Sequence, residues 1–183
     1  MSEGIALPPV IRGTLLPVSE RVERLTLATT QILAVVEGET DVVALQSTLA
    51  ALLWHTLPQA SWVGFYRRIG PTMLAVGPYQ GPMGCLRIDF ARGVCGACAR
   101  TGLPQLVPDV EQFAGHIACD DGTKSELVLP VTINGRLEAV LDLDSHHLSA
   151  FSLDEQHALT GLLHRVFAPL RGQAPSEPGS TAK

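Results

Sequence analysis

The sequence predicts an α+β fold in which helices cover one face of a mainly antiparallel sheet. Three observations lead there. Two stretches with helical apolar spacing open the chain, a block of short strand-like segments broken by Gly, Pro and Asn follows, and one further helical stretch closes it. The chain has 183 residues, 46 % of them apolar, enough for one domain with its own core.

Residues 1–18 contain three prolines and no period, and read as an N-terminal arm. The domain proper is expected over 19–170. Its first helix starts at Ser19 as cap, carries the stripe Val22, Leu25, Ala28, Ile32 and Val35, and ends at Gly38. "DVVALQSTLAALLWHTL" is a second amphipathic helix stopped by Pro58, with Trp54 a core residue. "ASWVGFYRR" alternates as a strand, Val63 and Phe65 on one face, Trp62, Gly64 and Tyr66 on the other. Two aromatics around a glycine suit a hollow with aromatic walls. On the strand alone, a bulge or close backbone approach at Gly64 is the simpler reading. "TMLAV" is a short partner strand, and residues 77–93 form a Gly/Pro-rich loop carrying Cys85. "VCGACART" is a short helix, "PQLV" a brief strand, and 125–145 a hairpin. The last helix starts at Ser152, with Glu155 completing a capping box, and runs to about Phe167. Residues 171–183 have the composition of a disordered tail.

Net charge is −5 without a Lys/Arg-rich run, which argues against nucleic acid or an anionic membrane as partner. No apolar run is long enough to span a bilayer, and the N-terminus lacks the pattern of a signal peptide, so a cytoplasmic location is expected. The four cysteines, Cys85, Cys95, Cys98 and Cys119, fall close together. In a reducing compartment they point to catalysis, redox exchange or metal binding rather than permanent cross-links.

The hairpin turn at Asn134-Gly135 allows two registers. A two-residue turn mixes apolar and acidic residues on both faces. A three-residue loop pairing Thr132 with Arg136 collects Leu127, Leu129, Val131, Leu137, Ala139 and Leu141 on one face, and is preferred for that reason. The other face then carries Glu126 opposite Asp142, with Asp144 two residues on. Carboxylates that close cannot all ionise cheaply, so at least one is expected to hold a proton to unusually high pH.

The motifs "WVGFY", "GPYQGPMGCLRI", "RGVCG", "GHIACD", "SELVLP" and "AVLDLDS" occur in this order. Together they resemble the free methionine-(R)-sulfoxide reductases, single-domain members of the GAF superfamily. The resemblance implies a GAF fold, with a six-stranded antiparallel sheet, helices on one face and a loop-covered pocket on the other. It implies reduction of free L-methionine (R)-S-oxide, no bound cofactor, and regeneration by thioredoxin and its NADPH system. By motif match, Cys119 is the attacking thiol, Cys85 the main resolving thiol and Cys95 an accessory cysteine. Trp62, Tyr66, Glu126, Asp142 and Asp144 line the substrate pocket. A homodimer stays open. Cys98 departs from the family pattern; a small buried residue is the plainer reading, ahead of a redox pair or half a zinc site with Cys95.

The chemistry suits these residues. A sulfoxide sulfur is electrophilic, but its oxygen leaves only when protonated. A thiolate must meet sulfur while an acid meets oxygen. Cys119 supplies the first, and the acid cluster of Glu126, Asp142 and Asp144 the second, with Cys85 closing a disulfide afterwards. His116, three residues before Cys119, is read as making an ordinary loop hydrogen bond. Two rivals are a ligand-binding sensor of the same superfamily without turnover and a zinc-stabilised module built on the four cysteines.

Overall fold

The computed structural model describes residues 7–116 and 120–170. Six strands form one antiparallel sheet: β1 (Trp62–Arg68), β2 (Met73–Gln80), β3 (Arg87–Asp89), β4 (Gln105–Val107), β5 (Ser125–Ile133) and β6 (Arg136–Ser145), in the order β3-β2-β1-β6-β5-β4. Helices α1 (Val18–Val35), α2 (Val42–Thr56) and α4 (Leu153–Phe167) pack on its back. A fourth, α3 (Gly93–Thr101), lies against the front.

Strand alternation creates these two sides. Val63 and Phe65 of β1, Leu127, Leu129 and Val131 of β5, and Ala139, Leu141 and Leu143 of β6 point back into a core with Leu25, Leu49, Leu53 and Leu159. Trp62, Tyr66, Val128 and Val140 point forward into a second cluster with Val94, Cys95 and Cys98.

The structure departs from the sequence reading at several places, each with a cause. Helix α1 starts two residues early, at Val18 behind Pro17, and Ser19 is not its cap. Its buried face includes Arg21 and Arg24, while Val35 is exposed. The stripe is rotated because Arg21 has a buried partner to meet. Strand β2 runs on through Gly77 and Pro78 to Gln80, and β3 occupies part of the expected loop, so the true loop spans only 81–86. Gly77 and Pro78 together face Phe65 in a bulge, which spares the ladder the N–H that proline lacks.

The hairpin reconciles the turn with the apolar pattern. Its turn has two residues, with Ile133 paired to Arg136 and both Asn134 (φ 53°) and Gly135 (φ 75°) left-handed. Glu138 is then an extra residue on β6, because Thr132 pairs with Leu137 and Val131 with Ala139. Beyond this bulge the clean apolar face appears as expected, but two residues out of the expected register. Glu126 stands opposite Asp144, not Asp142, and Asp142 faces Val128. Leu137, before the bulge, packs on the front cluster instead of the back.

The start of α4 is as expected, with Ser152 and Glu155 forming a capping box. Glu155 is fully buried and does more than cap. Its Oε1 accepts from Arg21 Nε and Gln59 Nε2, both at 3.0 Å, and its Oε2 accepts from Arg21 Nη2 at 3.0 Å and Ser152 N at 2.9 Å. This network ties α1, α4 and the entry to β1. The arm residues 7–17 are tied down as well. Arg12 stacks on Trp54, 3.7 Å from the ring centroid, and donates to the Leu57 carbonyl at 2.8 Å.

Glu155→Ala strands the buried Arg21 guanidinium and removes the cap. We expect a loss of roughly 3 kcal/mol or more, read as a lower urea midpoint at unchanged slope. A loss below about 1 kcal/mol, the range of an exposed pair, would show that the network is not energetically buried.

Candidate active site

Pairing of β1, β6 and β5 lines side chains up in rows across the front face. Trp62 lies beside Asp144, Asp144 beside Glu126, and Glu126 beside Val107 of β4. In the next row Gly64 lies beside Asp142, and Asp142 beside Val128. Two rows of one twisted sheet therefore gather three carboxylates next to an aromatic wall. They open into a pocket that is also lined by Tyr66, Cys95, His116 and Asp120. Of the residues expected at the site, Trp62, Tyr66, Glu126, Asp142, Asp144 and Cys95 all come together here. Cys119 lies outside the described residues.

The wall is built from stacked rings. Trp62 stacks on Tyr66, with centroids 5.4 Å apart and planes 19° from parallel, and on Tyr79, at 5.2 Å and 15°. The Trp62 indole N–H donates to the Pro82 carbonyl at 3.1 Å, which anchors the 81–86 loop over the wall. Gly64 is the reason the rings fit. A Cβ there would sit 2.3 Å from Tyr79 Cβ and 2.6 Å from the Trp62 ring. Both readings of Gly64 hold: the backbone is closely approached, and it is approached by the aromatic wall. Tyr79 escaped the sequence reading because Gly77-Pro78 disguised its strand as loop.

The acids are buried with little to balance them. Glu126 and Asp142 are only 6 % and 5 % exposed, and Asp144 is partly open to the pocket. Among the described residues the nearest basic side chain to them is His116, whose Nε2 is 3.9 Å from Glu126 Oε2. Asp142 Oδ1 is buried with no hydrogen-bond partner among them. Burial first, and then the Asp142 and Asp144 charges, push the Glu126 carboxyl well above the usual carboxylate range. Burial raises Asp142 to about 6. Asp144 is raised by burial, then by the charges of Asp142 and Asp120. Burial keeps His116 below its ordinary value, so it faces Glu126 as a neutral ring.

The thiols differ in placement. Cys95, near the start of α3, points at the acids, its Sγ 3.9 Å from Glu126 Oε1. Burial and the neighbouring carboxylates raise it well above a free thiol. Cys98 is fully buried in the front cluster and is likewise raised by burial, as befits a packing residue. Cys85 is half-buried at the end of the 81–86 loop and packs against the same cluster.

The structure adds a contact that the sequence reading missed. Asp120 Oδ2 lies 2.8 Å from His146 Nε2, and Asp120 Oδ1 accepts from Gly122 N at 3.0 Å. The His146 contact is the main cause holding Asp120 below the usual carboxylate range. The pair fastens the 120–124 loop to the end of β6, and only the folded sheet brings the two residues together.

The chain is similar to known proteins. The GAF domain family matches residues 25–166. Protein YtsP of Bacillus subtilis is 43 % identical over 129 residues, 69 % of this chain and 79 % of that protein. The free methionine-R-sulfoxide reductase of Escherichia coli is 38 % identical over 133 residues, 73 % of this chain and 80 % of that enzyme. Among solved structures, the free methionine-R-sulfoxide reductase of Neisseria meningitidis in complex with its substrate superposes with a TM-score of 0.78 at 34 % identity, covering 88 % of this chain and 95 % of the other.

The raised carboxyls set a pH signature. A carboxyl whose folded pKa exceeds its unfolded value takes up a proton on folding, so stability falls as pH rises through the window between the two and stays low above it. For Asp142 that window runs from the ordinary carboxylate range to about 6. His116, with a lowered pKa, works in the opposite sense below its ordinary range, so the clean measure is a difference between proteins. We expect Asp142→Asn to be more stable than wild type at pH 7.5, by on the order of 2 kcal/mol. The gap should close as pH falls towards 4. Urea unfolding at several pH values measures it, and a variant less stable than wild type at pH 7.5 would contradict a carboxyl raised by burial at this position.

Proposed function

The chain belongs to the GAF domain family and, within it, to the free methionine-R-sulfoxide reductases, and from that premise we propose that it reduces free L-methionine (R)-S-oxide to methionine by thiol chemistry. The observation that carries this reading is the row Trp62–Asp144–Glu126 with Asp142 beside it: buried carboxylates under an aromatic wall, lining one pocket. A free amino acid offers an ammonium group that such carboxylates bind by charge-assisted hydrogen bonds. It also offers an apolar methyl end that packs on Trp62.

The same acids serve the reaction. A carboxyl that keeps its proton near neutral pH can donate it to the sulfoxide oxygen, and Glu126 and Asp144 are both pushed in that direction. The Cys119 thiolate attacks sulfur, the S–O bond breaks, methionine leaves, and Cys119 carries the oxygen as a sulfenic acid. The Cys85 thiol then attacks the Cys119 sulfur and expels water, leaving a disulfide. An external dithiol, thioredoxin in this reading, exchanges with that disulfide and restores both thiols. The cysteine roles are supported by motif position, and by Cys85 being disulfide-bonded while Cys95 and Cys98 are free thiols. Cys95, beside Glu126, is the accessory cysteine. No helix among the described residues is long and apolar enough to cross a membrane, in keeping with the cytoplasmic location that this reductant implies.

The test is NADPH consumption in the presence of thioredoxin and thioredoxin reductase, with the two free methionine sulfoxide epimers offered separately. We expect turnover of the R epimer, and none from Cys119→Ser. Cys85→Ser should release about one methionine per enzyme and then stall, since the first step needs only one thiol. N-acetylation of the substrate removes the ammonium charge and should lower kcat/KM by roughly a hundredfold or more. Full activity of Cys119→Ser, or equal kcat/KM for acetylated and free substrate, would overturn the respective part of this reading.

A further inference from the structure

The substrate reading gives one group in the pocket wall no part in holding the substrate. Cys95 Sγ lies among the carboxylates, and a thiol contributes nothing to holding an ammonium group. Its sulfur and one oxygen each from Glu126 and Asp142 lie within 4.8 Å of one another, on side chains that are only 3 %, 6 % and 5 % exposed. We propose that these three side chains form a site for a thiophilic divalent cation of the zinc class, and that such a cation inhibits the enzyme by occupying the place of the substrate's ammonium group.

Four features carry this. The donor set is one sulfur and two carboxylate oxygens, which suits zinc and disfavours magnesium or calcium, since these prefer oxygen alone. The spacing is close to what coordination needs. Zinc bonds of about 2.3 Å to sulfur and 2.0 Å to oxygen place those atoms roughly 3.5 Å apart across a tetrahedron. The Cys95 Sγ to Glu126 Oε1 distance is 3.9 Å, so that edge closes with a shift of a few tenths of an ångström, and all three donors lie within 4.8 Å of one another. Asp142 Oδ1 is buried in the pocket wall with no hydrogen-bond partner among the described residues, a lone pair that a cation would satisfy. Finally, the three donors come from α3, β5 and β6, elements packed against one another in the front of the molecule, so the set is held before any cation arrives. Binding displaces the Cys95 proton to solvent and makes one sulfur–metal bond. The oxidation states do not change. With three protein donors, a fourth position would be left for water.

Cation binding rests on the geometry of the pocket alone. Only the competition with substrate rests on the reductase function, and the experiment separates the two. Cobalt(II) is added to the reduced, chelator-free Cys85→Ser/Cys119→Ser protein, which lacks the other two thiols placed in the catalytic cycle and cannot turn over. We expect one equivalent of cobalt to give a sulfur-to-cobalt charge-transfer band and the visible bands of a tetrahedral site. Zinc should bleach both. Adding Cys98→Ala should leave the bands in place, and adding Cys95→Ala should abolish the charge-transfer band. Adding Asp142→Asn should weaken cobalt binding by roughly tenfold or more; it supplies a second reading should the Cys95→Ala protein fold poorly. Absence of a stoichiometric charge-transfer band, its survival in Cys95→Ala, or unchanged affinity in Asp142→Asn would overturn the site. Free methionine sulfoxide should displace the cobalt. Bands that persist at saturating sulfoxide would overturn the inhibition while leaving the reductase reading to its own assay.

Discussion

The front of this molecule is organised by one unfavourable act, the burial of Glu126 and Asp142 beside Asp144 with almost no compensating charge. The back of the same molecule shows the alternative. Glu155 is more deeply buried than any of the three, yet both its oxygens are occupied by Arg21, Gln59 and Ser152. Its network stabilises, because the desolvated charge is met by donors of fixed geometry. Asp142 has an oxygen with no such donor among the described residues. The difference is not one of available residues, since the chain carries 13 Lys and Arg. It is one of placement. Among the described residues the front acids meet no Lys or Arg, which leaves them suited to a ligand with positive charge and hydrogen-bond donors.

This division explains why the two faces of the sheet differ in packing. The back core is a broad apolar layer running from α1 through Val63 and Leu141 to Phe167. The front cluster is smaller and is closed by loops, a short helix and stacked rings. A pocket that holds unpaired acids cannot be filled with leucine. The rigidity of its wall comes instead from Trp62 in contact with Tyr66 and Tyr79, which bury large areas with few rotatable bonds.

Much of this was legible in the sequence, for reasons that also mark the limit. Alternation along β1, β5 and β6 assigns each residue to a face, so the gathering of Trp62, Tyr66, Glu126, Asp142 and Asp144 on one side follows from parity alone. Parity does not say which residue stands opposite which. The Asn134-Gly135 dipeptide correctly suggests a two-residue turn and the apolar pattern correctly demands a different parity. Only a bulge reconciles them, and nothing in "GRLEA" marks Glu138 as the extra residue. Buried Arg21 was missed because charge is normally assigned to solvent, and its partner is 134 positions away. The Asp120–His146 contact is hidden for the same reason. Local pattern reports faces and caps well, whereas pairings between distant polar residues depend on the completed fold.

The bulge at Glu138 has a consequence for how the gene can vary. Between the Asn134-Gly135 tip and Ala139 the two strands follow one register; from Val131 and Ala139 onward they follow another, which β1 also enforces on β6 from Ala139 to Asp144. The bulge works as an expansion joint. A residue gained or lost near the tip can be absorbed there, by enlarging, moving or erasing the bulge, while the three-strand block beyond it stays fixed. The hairpin end is thus a place where length can drift between descendants of this sequence, and an insertion just past Ala139 would turn Asp142 and Asp144 from the pocket to the core.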